Sequence, residues 1–473
     1  MPSDVLRKII EYLEVLAPAG GFTNESILDL KNVSAVNTVL QRLATESFWK
    51  SIVLSFNTGA APYFKSLLDN NKIDVLLSQI TKSPNKILGL FGKIESLYVD
   101  LSFDSINRST SWYNQNTQDV NNYLESCSAI VPFAAKLQIL DLKLSCLNVD
   151  SPQDRKNLQG KISSVLSTVN VQRFKKLNLT LHTVTNEVME LVPTFLPCVT
   201  SLTIIGMPIA SWVSFIPTTG LPSLEKLEIY RVPYQQQDSE DQLINFWKTI
   251  SNSPNLTSLF IAEIPVPSLL KLTLNLSKIT SFSMARTFAS VEEWSETTST
   301  ILQSMSALEN LSLESVVYSS TPNGFQVSPS TIVCTKLKTL RLKFWCPISF
   351  CSTVFQHCTS LTEFSLEDFV IGPEFPSCGS VTTIYLKNCS VGSYQGLAMS
   401  SNNLRTLRID PNVAERLSIE DLQVLKKACP SLEVIEIIGL RMAEGRFLLD
   451  PSISNLFQEG TGSSLGNLIL SMK

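Results

Sequence analysis

Two histidines, His182 and His357, occur in 473 residues. So few imidazoles leave little room for a multi-histidine metal site or a Ser-His-Asp triad. The densest group of soft ligands is Cys346, Cys351, His357 and Cys358. Its spacing matches no common zinc pattern, and His357 and Cys358 would point differently on a helix or turn. Neither a zinc site nor a cysteine nucleophile is expected there. The stretch GLFGK at Gly89 has two residues between its glycines, where a phosphate loop needs four. The acidic residues are scattered, without a paired-carboxylate signature. The reading is of no catalytic residue, no cofactor and no metal: a chain that binds rather than reacts.

Composition narrows the class of partner. Hydrophobic residues make up 44% and charged residues 17%, below the roughly 25% charged of an average soluble domain. The formal net charge is -4, so there is no electrostatic footprint for nucleic acid or for an acidic membrane surface. No uncharged apolar run reaches the roughly 18 residues of a membrane span. The opening MPSDVLRKIIEYLE is interrupted by Asp4, Arg7, Lys8 and Glu11 and does not read as a secretory signal. The expectation is therefore a cytoplasmic and/or nuclear protein whose ten cysteines are reduced.

The elements that position a binding surface come from an internal repeat, apolar-x-x-apolar-x-apolar. It reads IESLYV at Ile94, LQILDL at Leu137, FKKLNL at Phe174, VTSLTI at Val199, LEKLEI at Leu224, LTSLFI at Leu256 and ITSFSM at Ile279. It continues as LENLSL at Leu308, LKTLRL at Leu337, LTEFSL at Leu361, VTTIYL at Val381, LRTLRI at Leu404, LEVIEI at Leu432 and LGNLIL at Leu465. Nine of the 13 start-to-start steps fall between 20 and 29 residues, the period of a leucine-rich repeat. LLKLTL at Leu269 also matches, but Ile279 keeps the spacing regular.

Side chains alternate along a strand, so the fourth and sixth positions of each copy share one face. The expectation is one short parallel strand per copy and a buried column of Leu, Ile and Val, each worth roughly 1.5–3 kcal/mol when fully buried. Amphipathic stretches at 241–250, 187–196 and 421–428 read as returning helices. The fold class is thus α/β: a leucine-rich-repeat solenoid of about 14 copies over 94–473, with strands lining its concave side. Cys334, Cys358 and Cys429 each stand three residues before a strand's first apolar position, where the chain turns inward. Segment 101–135 reads as a tolerated surface insertion.

The residue after each sixth position points away from the core. Down the copies this row reads Asp100, Lys143, Thr180, Ile205, Tyr230, Ala262, Ala285, Glu314, Lys343, Glu367, Lys387, Asp410, Ile438 and Ser471. Its later part alternates in sign from Glu314 to Asp410 and should neutralise itself by pairing between strands. Its middle is apolar. Ile205 and Tyr230, with Phe260 one position earlier on its strand, are the candidate target-binding residues of the concave face.

Residues 1–56 stand outside the repeat. Val5, Ile9 and Leu13 recur at four-residue steps, and a second apolar helical stretch runs over 27–44 before the aromatic pair Phe48-Trp49. Met1-Pro2, Asp4, Tyr12-Leu13, Leu30 to Val33-Ser34 and Phe48-Trp49 together resemble the F-box. The order of F-box and then repeats resembles the F-box proteins with leucine-rich repeats, substrate receptors of Skp–cullin–F-box ubiquitin ligases. The resemblance implies a small all-α domain over 1–56 and a Skp-family adaptor, and through it a cullin, bound by Pro2, Val5, Ile9, Leu13, Leu30, Val33, Phe48 and Trp49. It also implies an unidentified target protein held by the solenoid, with 57–93 as a helical linker. The alternative is a leucine-rich-repeat interaction scaffold whose N-terminal helices only cap its open end and which has no ubiquitin role.

Overall fold

The computed structural model describes residues 51–55, 95–102, 138–145, 160, 162–167, 175–182, 190, 192–207, 216, 220–230, 240–262, 276–287, 303–315, 333–344, 348–371, 376–391, 394, 403–414, 417–438, 457–460 and 468–472. The chain divides into two compact units: Met1–Gln242 with Asn252–Asn255, and Leu243–Ser251 with Leu256–Lys473.

The first unit holds β1 (Ser51–Ser55), β2 (Ser96–Ser102), β3 (Ile139–Ser145), β4 (Lys176–His182), β5 (Ser201–Ile205) and β6 (Lys226–Tyr230). Each strand pairs parallel with the next. Leu140, Leu142 and Leu144 on β3, Leu177, Leu179 and Leu181 on β4, Leu202 and Ile204 on β5, and Leu227 and Ile229 on β6 are all buried. The expected inward column is present, because a period of two on every strand puts these residues on one face. Residues 162–167 form a helical return that buries Ile162, Val165 and Leu166.

Two details of this unit differ from expectation. The sheet starts at Ser51–Ser55, inside the span 1–56 read as helical. WKSIVL at Trp49 is a further copy of the repeat, with Ile52 opposite Leu97 and Leu54 opposite Val99, and its β-branched residues favour a strand. The expected helix over 187–196 is replaced, within the described residues, by two 3-10 turns, Val192–Thr194 and Leu196–Cys198. Pro193 and Pro197 lack the N–H that an α-helix interior requires.

The second unit holds β7 (Ser258–Ala262), β8 (Ser281–Thr287), β9 (Asn310–Ser315), β10 (Thr339–Phe344), β11 (Glu363–Glu367), β12 (Val370–Ile371), β13 (Thr383–Lys387), β14 (Ser390–Val391), β15 (Thr406–Ile409), β16 (Val434–Ile437), β17 (Phe457–Gly460) and β18 (Leu468–Met472). Strands β7, β8, β9, β10, β11, β13, β15 and β16 follow one another in parallel, and β12 pairs with β14 as a small second sheet. The copy at Ile279 is the one that forms β8.

The last copy departs from the pattern. LGNLIL supplies β18, which runs antiparallel to β16 and carries β17 antiparallel on its other side. Residues 461–467, the link between β17 and β18, are too few for a parallel crossover, which needs about a dozen or more.

Three helices bury one face each. In α1 (Glu240–Ser251) the buried residues include Trp247 and Ile250, and in α2 (Ile348–His357) Phe350, Cys351, Val354 and Phe355. A four-residue turn of helix, α3 (Pro411–Ala414), precedes α4 (Ile419–Ala428), which buries Leu422 and Leu425. The helices read at 241–250 and 421–428 are α1 and α4. Ser418 and Asp421 form a capping box on α4: the Ser418 hydroxyl accepts from Asp421 N and Asp421 accepts from Ser418 N. The Phe355 and Phe364 rings meet edge to face with centroids 4.9 Å apart.

One turn recurs in both units. In many copies the N–H of the motif's first apolar residue donates to the carbonyl three residues back, as in Leu224 to Leu221, Leu337 to Cys334, Leu361 to Cys358 and Leu432 to Cys429. Cys334, Cys358, Cys378 and Cys429 occupy that inward corner and are 0–1% exposed. Burial pushes the Cys429 thiol up to about 11, far from the thiolate that reactivity needs. Among the described residues no helix is long and apolar enough to cross a membrane.

Candidate binding face

In the first unit, register sets the outward neighbours. Thr180, Thr203 and Glu228 form one row, and His182, Ile205 and Tyr230 the next. The repeat alone puts Thr180 beside Ile205; the structure does not. From β3 to β4 the motif positions stay aligned, Leu140 with Leu177 and Leu142 with Leu179. From β4 to β5 they step by two, so Leu179 lies opposite Leu202 and Leu181 opposite Ile204. A step of two preserves which face each side chain takes, whereas a step of one would turn every leucine outward.

Thr200 accommodates the step. Its hydroxyl accepts from Leu177 N at 3.2 Å and donates to Leu177 O at 3.1 Å, beside the backbone bond from Thr200 N to the same carbonyl. Thr280, Thr362 and Thr382 stand at the same motif position and donate to the preceding copy's carbonyl at 3.2–3.3 Å.

Sequence reading marked Ile205 and Tyr230, and the structure places them side by side on β5 and β6. It also adds Glu228, which the repeat pattern did not single out. Glu228 lies 2.6 Å from the Lys226 ammonium and accepts from the Thr203 hydroxyl at 3.2 Å and the Tyr230 hydroxyl at 3.4 Å. Burial, then the Glu228 charge and hydrogen bond, raise the Tyr230 pKa, so its phenol stays a donor. Farther along the face, the Asn178 amide donates to Asp141, whose pKa burial raises despite that bond.

In the second unit the motif positions stay aligned along β7 to β16. Lys343 Nζ lies 3.3 Å from Glu314 and 3.6 Å from Glu367, and Lys387 Nζ lies 2.7 Å from Glu367. The alternating row neutralises itself as expected. Asp410 does not join it. At 8% exposure, Asp410 accepts from Val413 N and Asn388 N, both at 3.0 Å, and so holds the start of α3. An N-cap position there outcompeted the row.

Phe260 is half-buried on β7 and faces outward opposite Ser283. Ala262 and Ala285 are register partners but 7% and 8% exposed, so this part of the row offers no open apolar surface. Beyond Phe260, the row through the fifth motif positions was not singled out by the repeat. It holds Ser312, Arg341, Ser365, Tyr385 and Arg408, the last 2.9 Å from Glu436.

Of the soft-ligand group, Cys351 lies buried in α2 and Cys358 follows the helix, while His357 Nδ1 donates to Thr353 O at 2.9 Å. Cys346 lies outside the described residues, and among the described residues no three His, Cys, Asp or Glu side chains gather as metal ligands. Pro2, Val5, Ile9, Leu13, Leu30, Val33, Phe48 and Trp49 also lie outside the described residues.

No protein-family model matches the chain, and no curated protein matches it. Among solved structures it is similar to the leucine-rich repeat-containing protein LegL7 from Legionella pneumophila. The two share 13% identity at a TM-score of 0.30, over 82% of this chain and 90% of that chain.

Proposed function

We propose that this chain is a protein-interaction scaffold that holds a partner on the outward side of its parallel strands. The supporting observation is the division of each strand into two faces: aliphatic residues packed inward, and polar and aromatic residues in continuous outward rows. Such rows present many weakly interacting groups at fixed spacing, which suits a protein surface better than a small molecule.

The finer reading is a substrate-recognition subunit of a Skp–cullin–F-box ubiquitin ligase, acting in the cytoplasm or nucleus. It is supported by the F-box resemblance of Met1-Pro2, Asp4, Tyr12-Leu13, Leu30 to Val33-Ser34 and Phe48-Trp49. Its mechanism is positioning: adaptor and target are held by one chain, and the gain is effective concentration.

Co-purification with a Skp-family adaptor tests the ligase role. Wild type is expected to capture the adaptor, and Pro2→Ala with Ile9→Ala to lose it. Absence of capture by wild type removes the ligase role and leaves the scaffold. Tyr230→Ala and Phe260→Ala, made separately, are expected to weaken target binding while adaptor capture stays intact. Equal loss of both activities would indicate misfolding instead.

A further inference from the structure

Arg341 stands at the centre of the second unit's outward face. Its register partners are Ser312 on β9 and Ser365 on β11. Leu340 and Leu342 on either side of it are buried, so alternation turns Arg341 outward, and it is exposed. The two serines are half-buried on the same side, with Leu311, Leu313, Phe364 and Leu366 buried beneath them. Strands lie about 4.8 Å apart, so both hydroxyls are within reach of whatever the guanidinium binds.

The neighbouring charges are already engaged. Lys343, two residues along β10, is shared by Glu314 and Glu367; Lys387 pairs with Glu367, and Arg408 with Glu436. Glu363, on β11, is the remaining carboxylate diagonal to Arg341 and sits opposite Thr339. Among the described residues no side-chain hydrogen bond or ion pair engages Arg341, Ser312 or Ser365, although the Arg341 charge acts on the Tyr385 phenol farther along the row. An exposed guanidinium, flanked by a serine on each neighbouring strand, thus stands in a row whose other cation is paired.

We propose that Arg341, Ser312 and Ser365 form a docking point for a single carboxylate side chain, set in an otherwise uncharged segment of the partner protein. The proposal rests on the scaffold reading and names the partner chemistry at this face. The guanidinium edge donates two parallel N–H bonds and each serine one O–H, matching the roughly four lone-pair sites of a carboxylate. Charge selects among anions. One unpaired cation complements one negative charge, while Glu314, Glu363 and Glu367 nearby disfavour the nearly double charge of a phosphate.

The test is fluorescence anisotropy of a labelled short peptide carrying one glutamate among glutamines with the full chain at low salt, against oligoglutamine and a peptide of equal length with phosphoserine at the same place. Arg341→Gln is expected to weaken binding of the single-glutamate peptide about tenfold. Ser312→Ala with Ser365→Ala should weaken it less, and Arg341→Lys should retain part of it, since the charge stays but the fork is lost. Lys336→Gln, an exposed lysine away from the row, is the control and should change binding by less than about twofold.

Equal losses in Arg341→Gln and Lys336→Gln would overturn the proposal in favour of diffuse charge attraction. So would binding of oligoglutamine as tight as the single-glutamate peptide, or no binding of the single-glutamate peptide by wild type. Tighter binding of the phosphoserine peptide would overturn the assignment to a carboxylate. Thermal unfolding of each variant separates lost binding from lost fold. Tyr230→Ala and Phe260→Ala test the scaffold reading without involving Arg341, so the two can fail independently.

Discussion

The two units build the same strand from the same motif but use it differently. In the second unit the motif positions stay aligned along β7 to β16, and a charge row closes on itself as Glu314, Lys343, Glu367 and Lys387. In the first unit the register steps by two between β4 and β5, and the outward groups gather locally around Glu228 and around Asp141. Long rows of alternating charge require that every copy stay in step. A single even step leaves the core unchanged and still rewrites which outward side chains are neighbours.

The largest expected effect concerns what the units share, the packed inward face. Phe364→Ala removes a fully buried ring that meets Phe355 edge to face and should cost about 3–5 kcal/mol in chemical denaturation. A loss under about 1 kcal/mol would mean that this core is loosely packed and that the comparison rests on the wrong face.

Next come the threonines at one motif position. Thr200→Val leaves Leu177 N–H without the hydroxyl that accepts it and should cost roughly 1–3 kcal/mol. Thr362→Val removes only a donor to a carbonyl that backbone N–H groups already satisfy and should change stability by no more than about 0.5 kcal/mol. Equal costs would break the claim that the hydroxyl supports the register step.

Smaller effects follow for the outward groups. Lys343→Gln removes both pairs made by a side chain that is 30% exposed, and the cost should be roughly 0–1 kcal/mol, shrinking with added salt. Asp141 gives a pH signature instead. Burial raises its folded pKa, so the fold binds this proton more tightly than the unfolded chain. That contribution is fully present below the unfolded pKa and is lost as pH rises through the folded value. Denaturation midpoints followed across the acid range should therefore lose this component in Asp141→Asn, and an unchanged profile would remove Asp141 as its source.

Much of the architecture was legible in the chain. The inward positions, the helices α1 and α4 and the corner cysteines all follow from periods of 2 and 3.6 and from a fixed offset before each strand. The exceptions have local causes. Pro193 stands inside the stretch read as a helix and Pro197 directly after it, and WKSIVL repeats the motif in a segment read for its aromatic pair. The site was less legible: Ile205 and Tyr230 were marked by their motif position, but Glu228 and Arg341 lie in rows that a single position does not show.

What the sequence by itself determined is the two-sidedness of the strands, because alternation is a property of each segment and survives any even shift. What only the tertiary structure decided is the identity of neighbours across strands. The step at β4 and β5, the withdrawal of Asp410 into the start of α3 and the antiparallel pairing of β18 each depend on where another segment comes to lie. Those placements are set by long-range backbone hydrogen bonds and packing, to which a short motif contributes but which it does not specify.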